Sequence, residues 1–233
     1  MTPLVLLPGM MCDARLFAPQ IAAFSAGRAV QVAPIGGADT IAALAQDVLA
    51  HAPPHFALAG LSMGGIVAME VIRQAPDRVL GLALLDTNPK AENAAVAAQR
   101  DPQIASVQAG RLASVMREEM KPNYLTDGPR RADILDLCMA MAHSLGAQVF
   151  INQSRALQSR PDQQDTLHGV TCPTLILCGR DDALCPVARH DLMHGLVVGS
   201  TLQVIENAGH LPTLEQPEQT TAALAHWLER IDG

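Results

Sequence analysis

Ser62 sits in Gly60-Leu61-Ser62-Met63-Gly64, the G-x-S-x-G spacing that puts a serine nucleophile on a sharp strand-to-helix turn. An apolar run, His55-Phe56-Ala57-Leu58-Ala59, precedes it. A second apolar run with one charge, from Ile66 to Ile72, follows it. The serine therefore falls after a predicted strand and at the start of a predicted helix. A turn this tight crowds its neighbours, and Gly60 and Gly64 let the chain fold back without a Cβ clash. The helix would aim its positive N-terminal end at the serine oxygen. A bare serine is a weak nucleophile at neutral pH, so this chemistry needs a base and a group that orients the base.

Candidates follow later in the chain. A β-like run at 173–179 leads into Arg180-Asp181-Asp182-Ala183-Leu184-Cys185-Pro186, and an apolar run at 202–205 leads into Asn207-Ala208-Gly209-His210. The order serine, aspartate, histidine is that of one known arrangement of this chemistry. Each candidate follows a strand, and the carboxyl ends of parallel strands share one edge. Asp86 also ends a predicted strand and competes as the acid; the other reading is that it closes a turn. Of the other histidines, His51, His55, His168, His190, His194 and His226 carry no site signature and read as surface or half-buried. His143 falls in a different region, discussed below.

Those positions rest on a repeating pattern. Strands are expected at 4–7, 30–34, 56–59, 80–85, 174–178 and 202–205. Helices are expected at 19–24, 40–51, 63–74, 186–196 and 217–231. Short apolar runs alternating with helices mean parallel strands. The fold class expected is α/β, a mostly parallel sheet of about six strands flanked by helices. Residues 90–145 read as helical, at 91–100, 103–119 and 130–143, with a break at 122–129. The segment 148–160 reads as a core helix.

On these motifs the chain resembles the α/β-hydrolase fold family, serine carboxylesterase type, over nearly its whole length. The resemblance implies that Ser62 is the nucleophile and His210 the base. Asp182, between Gly179 and Pro186, matches the family's Gly-x-x-Asp-x-x-x-Pro turn, and Asp181 then reads as a turn residue. The oxyanion hole would be the backbone N–H groups of Met63 and Met10. The family often has a histidine before the glycine of that first loop. Here Pro8 stands there, so the loop geometry should differ. The family's two leading hairpin strands are expected to be missing, leaving the strand at 30–34 at or near a sheet edge. The domain organisation implied is a core of 1–89 and 146–233 with a helical lid at 90–145. Met11, Met116, Met120, Met139 and His143 are its pocket candidates.

The resemblance implies hydrolysis of esters of small or medium acyl groups through an acyl-enzyme. Thioesters, amides or carbon–carbon bonds are alternative targets. A binding protein that kept the fold and lost turnover is the alternative from another class. Partners expected are a small-molecule ester and water, and no cofactor or metal is implied.

Composition narrows the classes. Hydrophobic residues make up 49% of the 233 positions, enough for a buried sheet covered on both faces, while aromatics make up only 3%. The pocket walls should therefore be Met, Leu, Ile and Val. A net charge of −7 disfavours nucleic acid, which needs basic surface. Five scattered cysteines suggest reduced thiols and a cytoplasmic location. Residues 1–8 read as a strand, not a signal peptide, and no apolar run was expected to approach the roughly 20 residues of a membrane span.

Overall fold

The computed structural model describes residues 1–120 and 124–233. Part of the break expected at 122–129, Pro122 and Asn123, lies outside the described residues. Six strands form one sheet: β1 (Leu4–Leu7), β2 (Val30–Val32), β3 (Phe56–Leu61), β4 (Val79–Leu85), β5 (Thr174–Gly179) and β6 (Thr201–Ile205). Their spatial order is β2-β1-β3-β4-β5-β6, and every pairing is parallel. The three-residue β2 is the edge on the N-terminal side, as expected for a sheet without the hairpin strands.

Parallel strands buried on both faces read as continuous apolar runs whose alternate residues enter different cores. In β1, Val5 and Leu7 join the core on one face; Leu4 and Leu6 join the core on the other. The first core is closed by α2 (Ile41–His51) and α3 (Met63–Gln74), the second by α1 (Ala18–Phe24) and the C-terminal helix. Thr40, expected as the first residue of α2, is its cap instead, with Oγ1 accepting the Ala43 N–H at 3.2 Å.

After β4 come α4 (Ala94–Gln108), α5 (Leu112–Ser114), a π-helical turn at Val115–Met120, and α6 (Arg131–Gln158). One expected break differs. Pro102 does not split α4; it removes one N–H, and with it the bond to the Ala98 carbonyl, while the helix runs on. The expected helices at 130–143 and 148–160 run on from one another as α6 but are divided at Gly146, whose φ of 80° and ψ of 178° are not helical, so the break expected between them is present. The 28 residues of α6 are long and apolar enough, by composition, to cross a membrane. Here Phe150, Ile151, Ala156 and Leu157 pack into the core.

The fold closes with α7 (Gln164–His168), α8 (Val187–Leu196), α9 (Pro212–Glu215) and α10 (Pro217–Asp232). On α10, Trp227 is buried and its indole N–H donates to the Pro173 carbonyl at 3.0 Å. None of the five cysteines forms a disulfide.

Candidate active site

Ser62 stands between β3 and α3 at φ 55°, ψ −116°, a backbone conformation that L-residues rarely adopt. The surroundings enforce it. Its N–H donates to the Leu85 carbonyl at 2.9 Å, and its carbonyl accepts from Thr87 Oγ1 at 2.7 Å. Close approach of backbones explains the two flanking glycines. A Cβ on Gly60 would collide with the Gly64 carbonyl, and one on Gly64 with the Leu7 carbonyl. The turn thus holds Ser62 rigidly, with its side chain only partly covered.

The loop after β5 brings Asp182 to the same edge, and the loop after β6 brings His210. His210 Nε2 lies 2.9 Å from Ser62 Oγ, and Nδ1 lies 2.8 Å from Asp182 Oδ2. In the neutral tautomer this network selects, Nδ1–H donates to Asp182 and Nε2 accepts from Ser62. Asp182 Oδ1 accepts the N–H groups of Leu184 at 2.8 Å and Cys185 at 2.9 Å. Burial pushes the Asp182 carboxyl up, but the His210 bond and charge and the two N–H groups outweigh it and hold it below the ordinary 3.8. Adjacent Asp181 is exposed, and its N–H is tied to the Ala208 carbonyl at 2.9 Å. Asp86 meets Gly179 rather than His210.

Several residues that hold these groups carry no sequence signature. Glu215 Oε2 accepts from the N–H groups of Gly209 and Leu211, while Oε1 accepts from Thr126. The Tyr124 carbonyl takes the His210 N–H at 2.7 Å, and its ring centroid lies 5.7 Å from the imidazole. His190, expected near the surface, is fully buried, and its Nε2 accepts the Thr87 N–H at 3.1 Å. Burial pushes His190 down to about 4, so it is neutral near pH 7.

At the first loop, Met11 (φ 55°) donates its N–H to Gln153 Oε1 at 2.9 Å, and Gln153 Nε2 donates to the Ile35 carbonyl at 3.0 Å. That leaves the Met10 and Met63 N–H groups with no acceptor among the described residues. Gly9 packs under Ser62, where an added Cβ would sit 3.5 Å from the serine Cβ. The remaining pocket candidates scatter. Met116 is buried in the core that also holds Met10, Met11 and Met63. Met120 and Met139 are half-buried, and His143 is exposed.

A cleft of about 400 Å³ between β6 and α10 lies away from Ser62, lined by Leu175, Ile205 and Trp227. Its lining lacks the coupled serine, imidazole and carboxylate found at Ser62. Asp182, Cys185 and His210 bring three donor atoms within 4.8 Å of one another. The carboxylate and imidazole already bind each other, and burial pushes the Cys185 thiol well up.

A single parallel sheet with a serine on a strained strand-to-helix turn, joined to a histidine and an aspartate from later strand ends, defines the class. The chain belongs to the Alpha/beta hydrolase family, which it matches over residues 4–224. It is 28% identical over 218 residues to the pimeloyl-[acyl-carrier protein] methyl ester esterase of Aliivibrio salmonicida, covering 86% of this chain and 78% of that one. It is 27% identical over 205 residues to the 2-succinyl-6-hydroxy-2,4-cyclohexadiene-1-carboxylate synthase of Salmonella arizonae, covering 84% and 77%. A thermophilic esterase from Thermogutta terrifontis, solved with malate bound, superposes with a TM-score of 0.91 at 28% identity, covering 99% of this chain and 90% of that one.

Proposed function

We propose that this hydrolase is a serine esterase that cleaves carboxylic esters of small or medium acyl groups through an acyl-enzyme. The observation that carries the reading is the unbroken chain Ser62 Oγ, His210 Nε2, His210 Nδ1, Asp182 Oδ2, with links of 2.9 and 2.8 Å. His210 takes the Ser62 proton as Oγ attacks the ester carbonyl. Asp182 holds the tautomer and stabilises the imidazolium. The oxyanion forms beside Met10 and Met63, whose unengaged N–H groups suit it; one such donor is worth about 3 kcal/mol in other serine hydrolases. His210 then protonates the leaving alcohol, and activates a water that releases the acid.

In this reading residues 90–145 are a helical lid inserted in a core of 1–89 and 146–233, with Met116, Met120 and Met139 on its inner side and Met11 below. His143, which faces solvent, is left out of the pocket. An esterase relative at 28% identity over most of the chain supports the ester. A relative named as a synthase keeps thioester, amide and carbon–carbon targets as the second reading, since only the bond broken differs. Five cysteines without a disulfide support a cytoplasmic location.

The test is hydrolysis of p-nitrophenyl esters from acetate to decanoate by wild type, Ser62→Ala and Asp182→Asn. Activity that falls by orders of magnitude in both variants, with an optimum at short or medium chains, supports the reading. A wild type inactive on every ester, or an active Ser62→Ala, sinks it.

A further inference from the structure

Asp86, at the end of β4, is unused by the mechanism yet built into the site. It is fully buried and sits at φ 44°, a strained conformation for a residue with a Cβ. Its Oδ1 accepts the Gly179 N–H at 2.9 Å; its Oδ2 is buried and receives no donor. The Gly179 carbonyl in turn accepts the Asp182 N–H at 3.4 Å. Gly179 thus links the two residues, through its N–H to the Asp86 carboxyl and through its carbonyl to the Asp182 N–H, and Asp86 feels the Asp182 carboxyl.

Two carboxylates cannot both ionise in one buried place. Asp182 has an imidazole and two N–H groups to support its charge, whereas Asp86 has one N–H. The proton belongs on Asp86. The surrounding charges agree: burial first, then Asp182, and then Glu215 on α9, push the Asp86 carboxyl well up, against the Gly179 N–H that pulls it down. Burial first, and then the carboxyls nearby, push the thiols of Cys178 and Cys185 up, so both are neutral neighbours. His190 on α8, which feels Asp182, is neutral near pH 7. Arg160 and Arg189 act on neighbouring Cys185, whereas the charges named for Asp86 are the anions Asp182 and Glu215.

We propose that Asp86 is a positioning residue, a neutral carboxylic acid whose Oδ2–H donates to the Asp182 carboxylate and holds it toward His210. The inference rests on the reading of Asp182 as the acid of the triad. It also gives the orphaned Oδ2 a partner, since a protonated carboxyl is a donor and Asp182 keeps lone pairs to accept. Asparagine would mimic the neutral acid, with Oδ1 toward Gly179 and the amide N–H toward Asp182.

The experiment is the pH profile of kcat/KM on p-nitrophenyl butyrate for wild type, Asp86→Asn and Asp86→Ala, beside Ser62→Ala and Asp182→Asn. Infrared spectra of wild type, Ser62→Ala and Asp86→Asn near pH 7 supply a readout independent of turnover. The expected result is that Asp86→Asn stays within about threefold of wild type with an unmoved acid limb, while Asp86→Ala loses about tenfold or more in kcat. A carboxylic C=O band should be present in wild type and Ser62→Ala and absent in Asp86→Asn. If Asp86 were an anion, Asp86→Asn would remove a negative charge beside the base, moving the acid limb to lower pH by about half a unit or more. That shift, an Asp86→Ala variant as active as Asp86→Asn, or a missing band in wild type would overturn the proposal. Should Asp86→Ala fail to fold, the asparagine profile and the band decide. Retained activity in Ser62→Ala or Asp182→Asn would instead bring down the triad reading, which is a separate outcome.

Discussion

The carboxylate of Glu215 straddles His210, accepting the N–H groups on either side of it, Gly209 at 3.0 Å and Leu211 at 3.1 Å. The ring's own hydrogen bonds go to Asp182 and Ser62. Glu215 holds the backbone on which the ring stands, and through Oε1 ties that backbone to Thr126. Removing the side chain leaves backbone donors unpaired in a half-buried place, at about 1.5–3 kcal/mol for bonds to a charged group. Glu215→Ala should lower the melting temperature and cut kcat by about tenfold or more, with Glu215→Gln intermediate. Urea titration and steady-state kinetics on the three proteins check this; equal kcat in all three would show that the loop orients His210 unaided.

Asp182→Asn keeps the shape of the side chain but replaces an acceptor with an amide. The imidazole is then free to take the wrong tautomer, with its lone pair facing Asn. The expected loss in kcat is about 10⁴-fold, the size of the same change in a serine protease. Labelling by a fluorophosphonate should slow in parallel. Undiminished labelling would mean that Ser62 is activated by something other than His210.

Gln153 reaches from α6 to Met11, and from there controls which N–H of the first loop is spent. Gln153→Leu leaves the Met11 N–H and the Ile35 carbonyl buried and unpaired, costing about 1–3 kcal/mol each. The loop should shift, and with it the Met10 N–H. We expect kcat to fall and KM to change little, because the hole acts on the transition state. A rise in KM alone would place Gln153 in substrate binding instead.

His190 makes stability depend on pH. The folded protein holds it at about 4 against the ordinary 6.5. Between those values the unfolded chain takes up a proton that the native state refuses. This contribution is present in full above the ordinary value and is lost as pH falls through the window, by up to about 3 kcal/mol. Urea midpoints measured from about pH 7.5 down to about pH 4.5 should fall for wild type and fall less for His190→Gln. Parallel slopes would refute the assignment.

The sheet was legible because its strands are buried on both faces, so each is a continuous apolar run such as Phe56–Leu61. The position of Ser62 was legible because a crowded turn admits only glycine at Gly60 and Gly64. Asp182 was separated from Asp181 by its spacing to Gly179 and Pro186; the peptide geometry that turns one outward and the other toward His210 is set by the Ala208 and Gly179 carbonyls. Glu215 and Gln153 left no trace, because their partners are backbone groups that every residue carries. His190 misled for a related reason, as a histidine on a helix looks the same whether its face is wet or dry. Around α4 a local rule misplaced a break, since packing outweighs the one bond lost at Pro102, whereas the break in α6 was legible because periodicity stops at Gly146, where the backbone is not helical.

That break has a mechanical side. Before Gly146, Met141, Ala140 and Ser144 of α6 grip Asp13 and Arg15; after it, Gln153 grips Met11. The two helical halves of α6 thus hold the first loop at two points, like pliers whose pivot is a single residue at φ 80°. The gap between the jaws is set by that one backbone angle. A side chain at position 146 would strain the pivot and re-aim the loop from a distance, so evolution can tune the site there without touching any residue beside Ser62.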